Sequence, residues 1–230
     1  MDYGKAFSFV FDDEAWISKV IIGGLLTASF ILIIPVFIVL GYSEQVAKRA
    51  MLGEKGLPEW KDWGDLLKRG FSLSVVFFVY MIPAYVFILI PVIGLFVLGA
   101  AADGGGSDAL GGLAVLLILM AYAVFFIFIM LFNLLMPAIV AQFVRTDSIG
   151  ETLNILNLFT VVKNNFVNIL ILVAFSMVAG FVAQIGLIAC FIGVFFTGFY
   201  AQLMLYNLYG QFAKTVEEEK TIGSEQPSEA

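Results

Sequence analysis

GFSLSVVFFVYMIPAYVFILIPVIGLFVLGAAA, residues 70–102, carries no charged side chain, and its length decides the class of the fold. An α-helix rises about 1.5 Å per residue and the hydrocarbon layer is about 30 Å thick, so about twenty such residues cross a bilayer. Uncharged intervals also occupy 20–43, 109–144 and 164–213. The chain is 61% hydrophobic and 13% charged, whereas soluble domains contain about 25% charged residues. The sequence therefore predicts an integral membrane protein.

Continuous apolar runs satisfy their backbone polar groups in lipid only as helices, which predicts an all-α, polytopic fold. The last interval is about 50 residues long and must double back. We expect a single membrane domain, residues 1–213, in this order: a short hairpin or one span at 17–43, a cytoplasmic amphipathic loop at 44–70, a span at 71–101, an external loop at 102–110, a span at 111–143, a second cytoplasmic amphipathic loop at 144–163, and spans at 164–184 and 186–210. The acidic composition of residues 214–230 predicts a disordered cytoplasmic tail.

Basic residues predict the orientation, because loops rich in Lys and Arg stay cytoplasmic. The loop between the first two intervals holds Lys48, Arg49, Lys55, Lys61, Lys68 and Arg69. The segment 103–108 holds no basic residue and is predicted to be external. This orientation places the C-terminus in the cytoplasm, and we expect the plasma membrane of a prokaryote as the location.

Two interpretations of residues 20–43 stay open. Gly23, Gly24 and Pro35 interrupt the interval, and a proline inside a helix removes a hydrogen bond. These residues favour a short re-entrant hairpin, which gives six membrane helices in three units of an amphipathic segment followed by a hairpin. The hairpin also places all twelve basic residues inside. The alternative is one full span, which gives five spans and an external N-terminus.

The segment LPEWKDWGDLLKRG, residues 57–70, concentrates aromatic and charged side chains. Pro58 suits the first position of a helix, and Trp60, Trp63, Leu67 and Phe71 then recur at helical spacing. We expect this helix to lie in the membrane interface, where tryptophan rings prefer the headgroup level. The predicted interfacial anchors, or binding residues for a protein partner, are Trp16, Trp60, Trp63, Lys61, Lys68 and Arg69.

Two other amphipathic segments carry helix-capping signals. Ser148 and Glu151 have the spacing of a capping box, and Asp12 or Asp13 can cap a helix that carries Trp16. All three tryptophans are therefore predicted to lie at the cytoplasmic interface.

The same segment resembles the signature loop of a prokaryotic membrane family known as domain of unknown function 4013. Its Leu-Pro-Glu-Trp-x-Asp-Trp-Gly core corresponds here to Leu57, Pro58, Glu59, Trp60, Asp62, Trp63 and Gly64. The flanking GYSEQVAKRAMLG and the N-terminal FDDEAWISKVIIGGLL are also similar, so the resemblance covers the chain well to about Leu95. The resemblance implies no activity. The layout is also similar to the membrane domains attached to some glycerophosphodiester phosphodiesterases, but the chain lacks their catalytic domain.

The uncharged intervals contain few side chains that could catalyse a reaction or bind a metal. The sequence has no histidine, the commonest acid-base catalyst and metal ligand, so we expect no enzyme, no catalytic residue, no cofactor and no metal site. We also expect no nucleic-acid partner. Small residues predicted to pack the last two helices closely are Gly180, Gly186, Cys190, Gly193 and Thr197. A candidate polar pathway consists of Asn133, Ser176 and Gln184.

These observations favour a non-catalytic membrane scaffold that binds membrane lipids or a protein partner at its cytoplasmic face. The alternative hypothesis is a permease or channel for a small neutral or lipidic substrate, because uncharged polar residues occur at mid-span.

Overall fold

Helices dominate the chain, as its apolar runs predict. The computed structural model describes residues 1–103, 108–189 and 192–225. Within these residues the α-helices are α1 (Tyr3–Ser8), α2 (Trp16–Ala28), α3 (Ile34–Leu52), α4 (Trp63–Asp103), α5 (Asp108–Thr146), α6 (Ile149–Thr152), α7 (Ile155–Asn164), α8 (Phe166–Ile185) and α9 (Gly193–Glu225). Short 3-10 helices follow α2 at Phe30–Leu32 and α8 at Gly186–Ala189. The described residues contain no strand, so the all-α fold class is confirmed.

The first apolar interval is broken into two helices. The chain leaves α2 at Ser29 and enters α3 after Ile33, whose φ of 59° lies in the left-handed region. Pro35 lies in the first turn of α3, where its missing N–H costs no hydrogen bond. Helix α2 has 13 residues, too few to cross a bilayer, since about twenty are needed. The break agrees with a hairpin rather than one continuous span, and its depth in a membrane stays a prediction.

Glycines do not cause this break, although the sequence suggested it. Gly23 and Gly24 lie inside α2, where their bare backbone packs against the rings of Phe199 and Phe196 on α9. They allow a close approach between two helices. The interruption comes from residues 29–33 alone.

The chain divides into two units, which we describe separately. Unit 1 comprises Met1–Val76 and Leu135–Ala230, and unit 2 comprises Phe77–Leu134. In unit 1, α9 packs against α8, α3, α2 and α1. Its core contains Phe9, Val10, Val39, Tyr42, Val46, Leu57, Leu66, Phe199 and Leu203. In unit 2, α4 and α5 meet through an edge-to-face contact of Phe77 with Phe132 and through Gly94, which lies beside Ile118.

Three helices among the described residues are long and apolar enough to cross a membrane. They are Trp63–Ala100, Val115–Thr146 and Phe166–Ile188. Their apolar side chains are mostly exposed, as for Phe96, Phe126 and Phe181. This finding fits a membrane protein, and the predicted total of six membrane helices stays unconfirmed.

The C-terminal segment differs from its prediction. Helix α9 continues to Glu225, so a disordered tail beginning at residue 214 is wrong over the described part. Arg145 pairs with Glu217 at 2.6 Å, and Asn165 donates to Glu219 at 3.0 Å. Val216 is buried between these contacts. Tertiary partners therefore order a segment whose composition alone favours disorder, and residues 226–230 lie outside the described part.

Candidate functional site

The tryptophan loop, which we define as residues 53–62, is not the helix that the sequence predicted. Helix α4 begins at Trp63, and Pro58 lies in an irregular segment before it. Gly53 ends α3 with a φ of 76°, and Asp62 has a φ of 52°. Leu57 and Pro58 are buried, and the Pro58 carbonyl accepts a hydrogen bond from the Tyr42 hydroxyl at 2.9 Å. Burial against distant residues has overridden the local helical pattern.

Trp60 lies in a stack of aromatic rings rather than on an exposed helix face. Its ring is parallel to that of Tyr42 at a centroid distance of 3.8 Å, and Trp63 continues the stack at 5.7 Å. The indole N–H of Trp60 donates to the Lys19 carbonyl at 3.1 Å. Trp63 ends the stack and is 45% exposed. Trp60 is therefore part of the packing, and only Trp63 presents a free ring surface.

A buried ammonium group holds the tryptophan loop against the N-terminal segment. Lys19 is 5% exposed, and its Nζ lies 2.9 Å from Asp13 and 2.7 Å from Glu59. It also donates to the Leu57 carbonyl at 3.2 Å. Burial of Asp13 opposes its ionisation, but hydrogen bonds from Lys19 and from the backbone N–H groups of Ala15 and Leu57 outweigh this cost and lower its pKa.

A second ionic cluster surrounds the carboxylate of Glu44. Glu44 lies on α3 and is fully buried, with Arg69 of α4 at 3.3 Å. Arg69 also pairs with Asp65 at 2.8 Å and with Asp147 at 3.4 Å. Lys48 meets Asp147 at 2.9 Å. This cluster ties α3 and α4 to the turn after α5. Glu44 is not among the predicted site residues, because the polar segment around it predicts a cytoplasmic loop.

Burial raises the pKa of Glu44 to about 7, although Arg69 favours the charged form. Between the ordinary pKa of 4.5 and 7, the folded protein holds a proton that the unfolded chain releases. The stability that this group contributes is therefore complete below pH 4.5 and is lost as the pH rises through 7.

We expect Glu44→Gln to abolish this component of the pH dependence, because glutamine resembles the neutral carboxyl group. The variant should unfold at a temperature several degrees above the wild type at pH 8 and close to it at pH 4.5. Thermal unfolding in detergent micelles measures both. Glu54→Gln, which changes a half-exposed carboxylate paired with Arg49, is the matched control and should keep the wild-type pH dependence. If the unfolding temperatures of Glu44→Gln and of the wild type changed with pH in the same way, the raised pKa of Glu44 would be contradicted.

The structure brings some of the other predicted anchor residues together. Trp16 and Trp60 both pack against the core of unit 1, and Phe11 meets Trp16 edge to face at 4.9 Å. Lys61 and Lys68 are exposed, and neither has an ion pair among the described residues. Arg69, by contrast, is engaged in the Glu44 cluster.

One of the two predicted helix caps is found, and the predicted cap of α2 by Asp12 or Asp13 is wrong. The Ser148 side chain accepts a hydrogen bond from the Glu151 N–H, as a capping box requires. The Asp13 carboxylate accepts from the Ala15 N–H just before α2, but Ala15 itself is the N-cap residue. A further cap, from Asn154 onto α7, was not predicted.

The predicted contact between the last two helices is partly realised. A side chain at Gly186 would collide with the backbone of Gly193, and the Thr197 hydroxyl donates to the Ala183 carbonyl at 2.7 Å. Gly180 is exposed and would tolerate a Cβ without any contact, so it does not serve this packing. Cys190 lies outside the described residues.

The predicted polar pathway gains no support from local geometry. Asn133 donates to the Ile129 carbonyl and Ser176 donates to the Val173 carbonyl, each within its own helix. Gln184 is exposed. None of the three residues lines the clefts described below.

Polar clefts open on unit 1. A cleft of about 420 Å³ beside the tryptophan loop is lined by Gln45, Lys48, Arg49, Leu52, Glu54, Pro58, Glu59, Lys61, Asp62 and Arg69. Another, of about 340 Å³, lies between α7, the end of α5 and the C-terminal part of α9. Both contain charges of each sign.

Comparison with known proteins identifies a family. A family model described as "Protein of unknown function (DUF4013)" matches residues 24–192, which is most of the chain. No curated protein and no solved structure matches.

Proposed function

Because the chain belongs to the DUF4013 family of proteins of unknown function, whose description assigns no activity, we propose its role from physical features alone. The protein is a non-catalytic scaffold embedded in the plasma membrane of a prokaryote. Its tryptophan loop and its C-terminus lie on the cytoplasmic side. There it contacts lipid headgroups and presents an ordered polar surface to a protein partner.

One observation carries this proposal: apolar and charged surfaces are segregated. The three long apolar helices expose phenylalanine and leucine side chains along most of their length. Such contiguous apolar surface is typical of contact with lipid. The described ion pairs, in contrast, all lie in unit 1.

The geometry favours lipid as the first contact of the tryptophan loop and of Trp63, the residue that follows it. Trp63 ends the aromatic stack with a half-exposed ring, and the exposed Lys61 and Lys68 lie close to it in the chain. An aromatic ring with an N–H suits the headgroup level, and ammonium groups attract anionic headgroups. The permease hypothesis has no comparable support, because Asn133 and Ser176 satisfy their hydrogen bonds within their own helices.

Fluorescence quenching by lipid tests the lipid contact. We compare a protein in which Trp63 is the only tryptophan (Trp16→Phe, Trp60→Phe) with a matched control that keeps only Trp60 (Trp16→Phe, Trp63→Phe). Lipids brominated near the headgroup should quench Trp63 about threefold more strongly than Trp60, because Trp60 is covered by Tyr42 and Phe199. Equal quenching of both, or none of Trp63, would refute the contact.

Cross-linking tests the partner surface. A photoreactive group at Lys61→Cys, in a Cys190→Ser background, should yield a discrete cross-linked polypeptide in native membranes. The same group at Ile88→Cys, on an exposed apolar part of α4, is the control and should yield lipid adducts only. Identical products from both positions would count against a specific partner.

A further inference from the structure

Helix α7 presents apolar side chains that no described part of the protein covers. Leu158 and Val162 face the core, whereas Ile155, Leu156 and Phe159 are exposed, Leu156 at 80% and Phe159 at 66%. A ten-residue helix with one polar edge and one bare apolar face is typical of a helix that lies in the plane of a membrane interface. In water, this exposed apolar surface would be unfavourable.

This apolar face is continuous with that of a candidate membrane helix. Only Asn165 separates α7 from α8, and α8 begins with the exposed side chains of Phe166 and Val167. Helix α8 opens the apolar segment Phe166–Ile188. The lipid that surrounds α8 is therefore the nearest apolar phase available to cover α7.

The polar edge of α7 forms one wall of the 340 Å³ cleft. Small-ligand sites span about 300–1,000 Å³, so this cleft suits a compact polar group. The wall on α7 consists of Asn157, Thr160, Val161 and Asn164, which recur at helical spacing. The facing residues are Gln142, Arg145, Thr146, Glu151, Asn165, Val216, Glu219 and Lys220.

Hydrogen bonds and an ion pair connect the elements that form the walls of the cleft. Arg145 pairs with Glu217, which joins α5 to α9. Asn165 donates to Glu219, which joins the start of α8 to α9. Gln142 donates to the Glu151 carbonyl at 3.2 Å and holds α6 in position. The cleft is thus braced by hydrogen bonds and an ion pair from four elements.

Four other polar side chains of the cleft are exposed and unpaired among the described residues. The Lys220 ammonium and the Glu151 carboxylate take part in no ion pair there, and the side-chain amides of Asn157 and Asn164 make no hydrogen bond. The cleft thereby offers a cation and amide donors together with an anion. These groups complement a ligand that carries both a phosphate and an ammonium group.

We propose that this cleft binds the headgroup of a zwitterionic phospholipid with a primary ammonium, whose acyl chains lie along the apolar faces of α7 and α8. Lys220 and the asparagine amides donate to the phosphate, and Glu151 accepts from the ammonium. A quaternary ammonium has no N–H to donate, and a glycerol headgroup has no cation for Glu151. This inference rests on the proposed embedding in a membrane.

Native mass spectrometry of the full-length protein with added lipid tests the inference. Phosphatidylethanolamine should bind about tenfold more tightly than phosphatidylcholine or phosphatidylglycerol, because one charge-assisted hydrogen bond is worth about 1.4 kcal/mol or more. Lys220→Gln should weaken the binding of all three lipids about tenfold, because each carries the phosphate. Glu151→Gln should remove the preference for phosphatidylethanolamine. Lys163→Gln, which changes an exposed lysine at the end of α7 outside the cleft, is the matched control and should keep it. Equal affinity for the three lipids, or no effect of Lys220→Gln, would overturn the headgroup site.

Spin labels separate failure of this inference from failure of the proposed function. In a Cys190→Ser background, labels at Leu156→Cys and Phe181→Cys should both collide with oxygen dissolved in lipid rather than with a water-soluble nickel complex. Lipid exposure at 181 with water exposure at 156 would overturn the interfacial position of α7 alone. Water exposure at both would overturn the membrane embedding. Cross-linking of 156 to a polypeptide would assign the apolar face of α7 to a protein partner and overturn lipid as its occupant.

Discussion

Lys19→Met should lower the free energy of unfolding by about 3 kcal/mol, because it leaves Asp13 partly buried without its cation. The methionine keeps most of the side-chain volume but removes the ion pairs with Asp13 and Glu59 and the bond to the Leu57 carbonyl. The tryptophan loop should also become more accessible to proteases, because it loses these contacts. Reversible unfolding in mixed micelles measures the stability, and limited proteolysis within residues 53–62 measures the loop.

Lys61→Met is the matched control for this change. Lys61 is exposed in the same loop and has no ion pair among the described residues, so its replacement should change the stability by less than about 0.5 kcal/mol. A combined Asp13→Asn and Lys19→Met variant should recover part of the loss, since the only carboxylate left without Lys19 is the exposed Glu59. A loss below about 1 kcal/mol for Lys19→Met alone would show that Lys19 does not anchor the loop.

Gly41→Leu should destabilise the protein by about 3 kcal/mol or more, because α3 and α4 touch backbone to backbone at this point. A side chain at Gly41 would collide with the Leu66 carbonyl, and one at Gly70 would collide with the Phe37 carbonyl. A backbone carbonyl inside a helix cannot rotate away, so the helices must separate. Separation would also pull Arg69 away from Glu44. Chemical unfolding and the pH dependence of stability together report both effects.

Gly64→Ala, on α4, provides the control. A Cβ at Gly64 meets no atom within 4 Å, and alanine favours the helical backbone. We therefore expect equal or slightly greater stability, by up to about 1 kcal/mol. If Gly41→Leu were as stable as Gly64→Ala, the close crossing of α3 and α4 would be refuted.

Apolar runs predicted the helices well because their signal is local. The interval 164–213 had to turn once, and the turn lies at Gly186–Ala189 between α8 and α9. The interval 20–43 was ambiguous in sequence, and Ser29–Ile33 breaks it. The length and composition of an apolar run are enough to predict a helix, since each helix makes its backbone hydrogen bonds within itself.

The length and composition of apolar runs do not predict contacts between residues that are distant in the sequence. Lys19 and Leu57 are 38 positions apart, and Gln202 and Ser43, which share a hydrogen bond, are 159 apart. The helical spacing of Trp60 and Trp63 suggested that the amphipathic helix begins at Pro58. Residues 57–62 are not helical, because Trp60 stacks on Tyr42 and Leu57 is buried. Tertiary packing outweighs local propensity when a loop buries its side chains.

In the C-terminal helix, contacts between distant residues order a segment that was predicted to be disordered. Its acidic composition favours disorder, but Glu217 and Glu219 find Arg145 and Asn165 on other helices. The sequence offered no signal for these partners because charge counts do not specify pairing. The cleft beside α7 depends on this ordered segment, so it too could not be foreseen.

The central claim is that the exposed apolar helices lie in lipid while the tryptophan loop faces the cytoplasm. Single cysteines in a Cys190→Ser background, reacted with a membrane-impermeant maleimide in sealed inverted vesicles and in intact spheroplasts, test it most directly. Lys61→Cys should react only in the inverted vesicles, and Phe126→Cys and Phe181→Cys should react in neither. Reaction of Lys61→Cys in spheroplasts, or rapid reaction at both phenylalanine positions, would contradict the account.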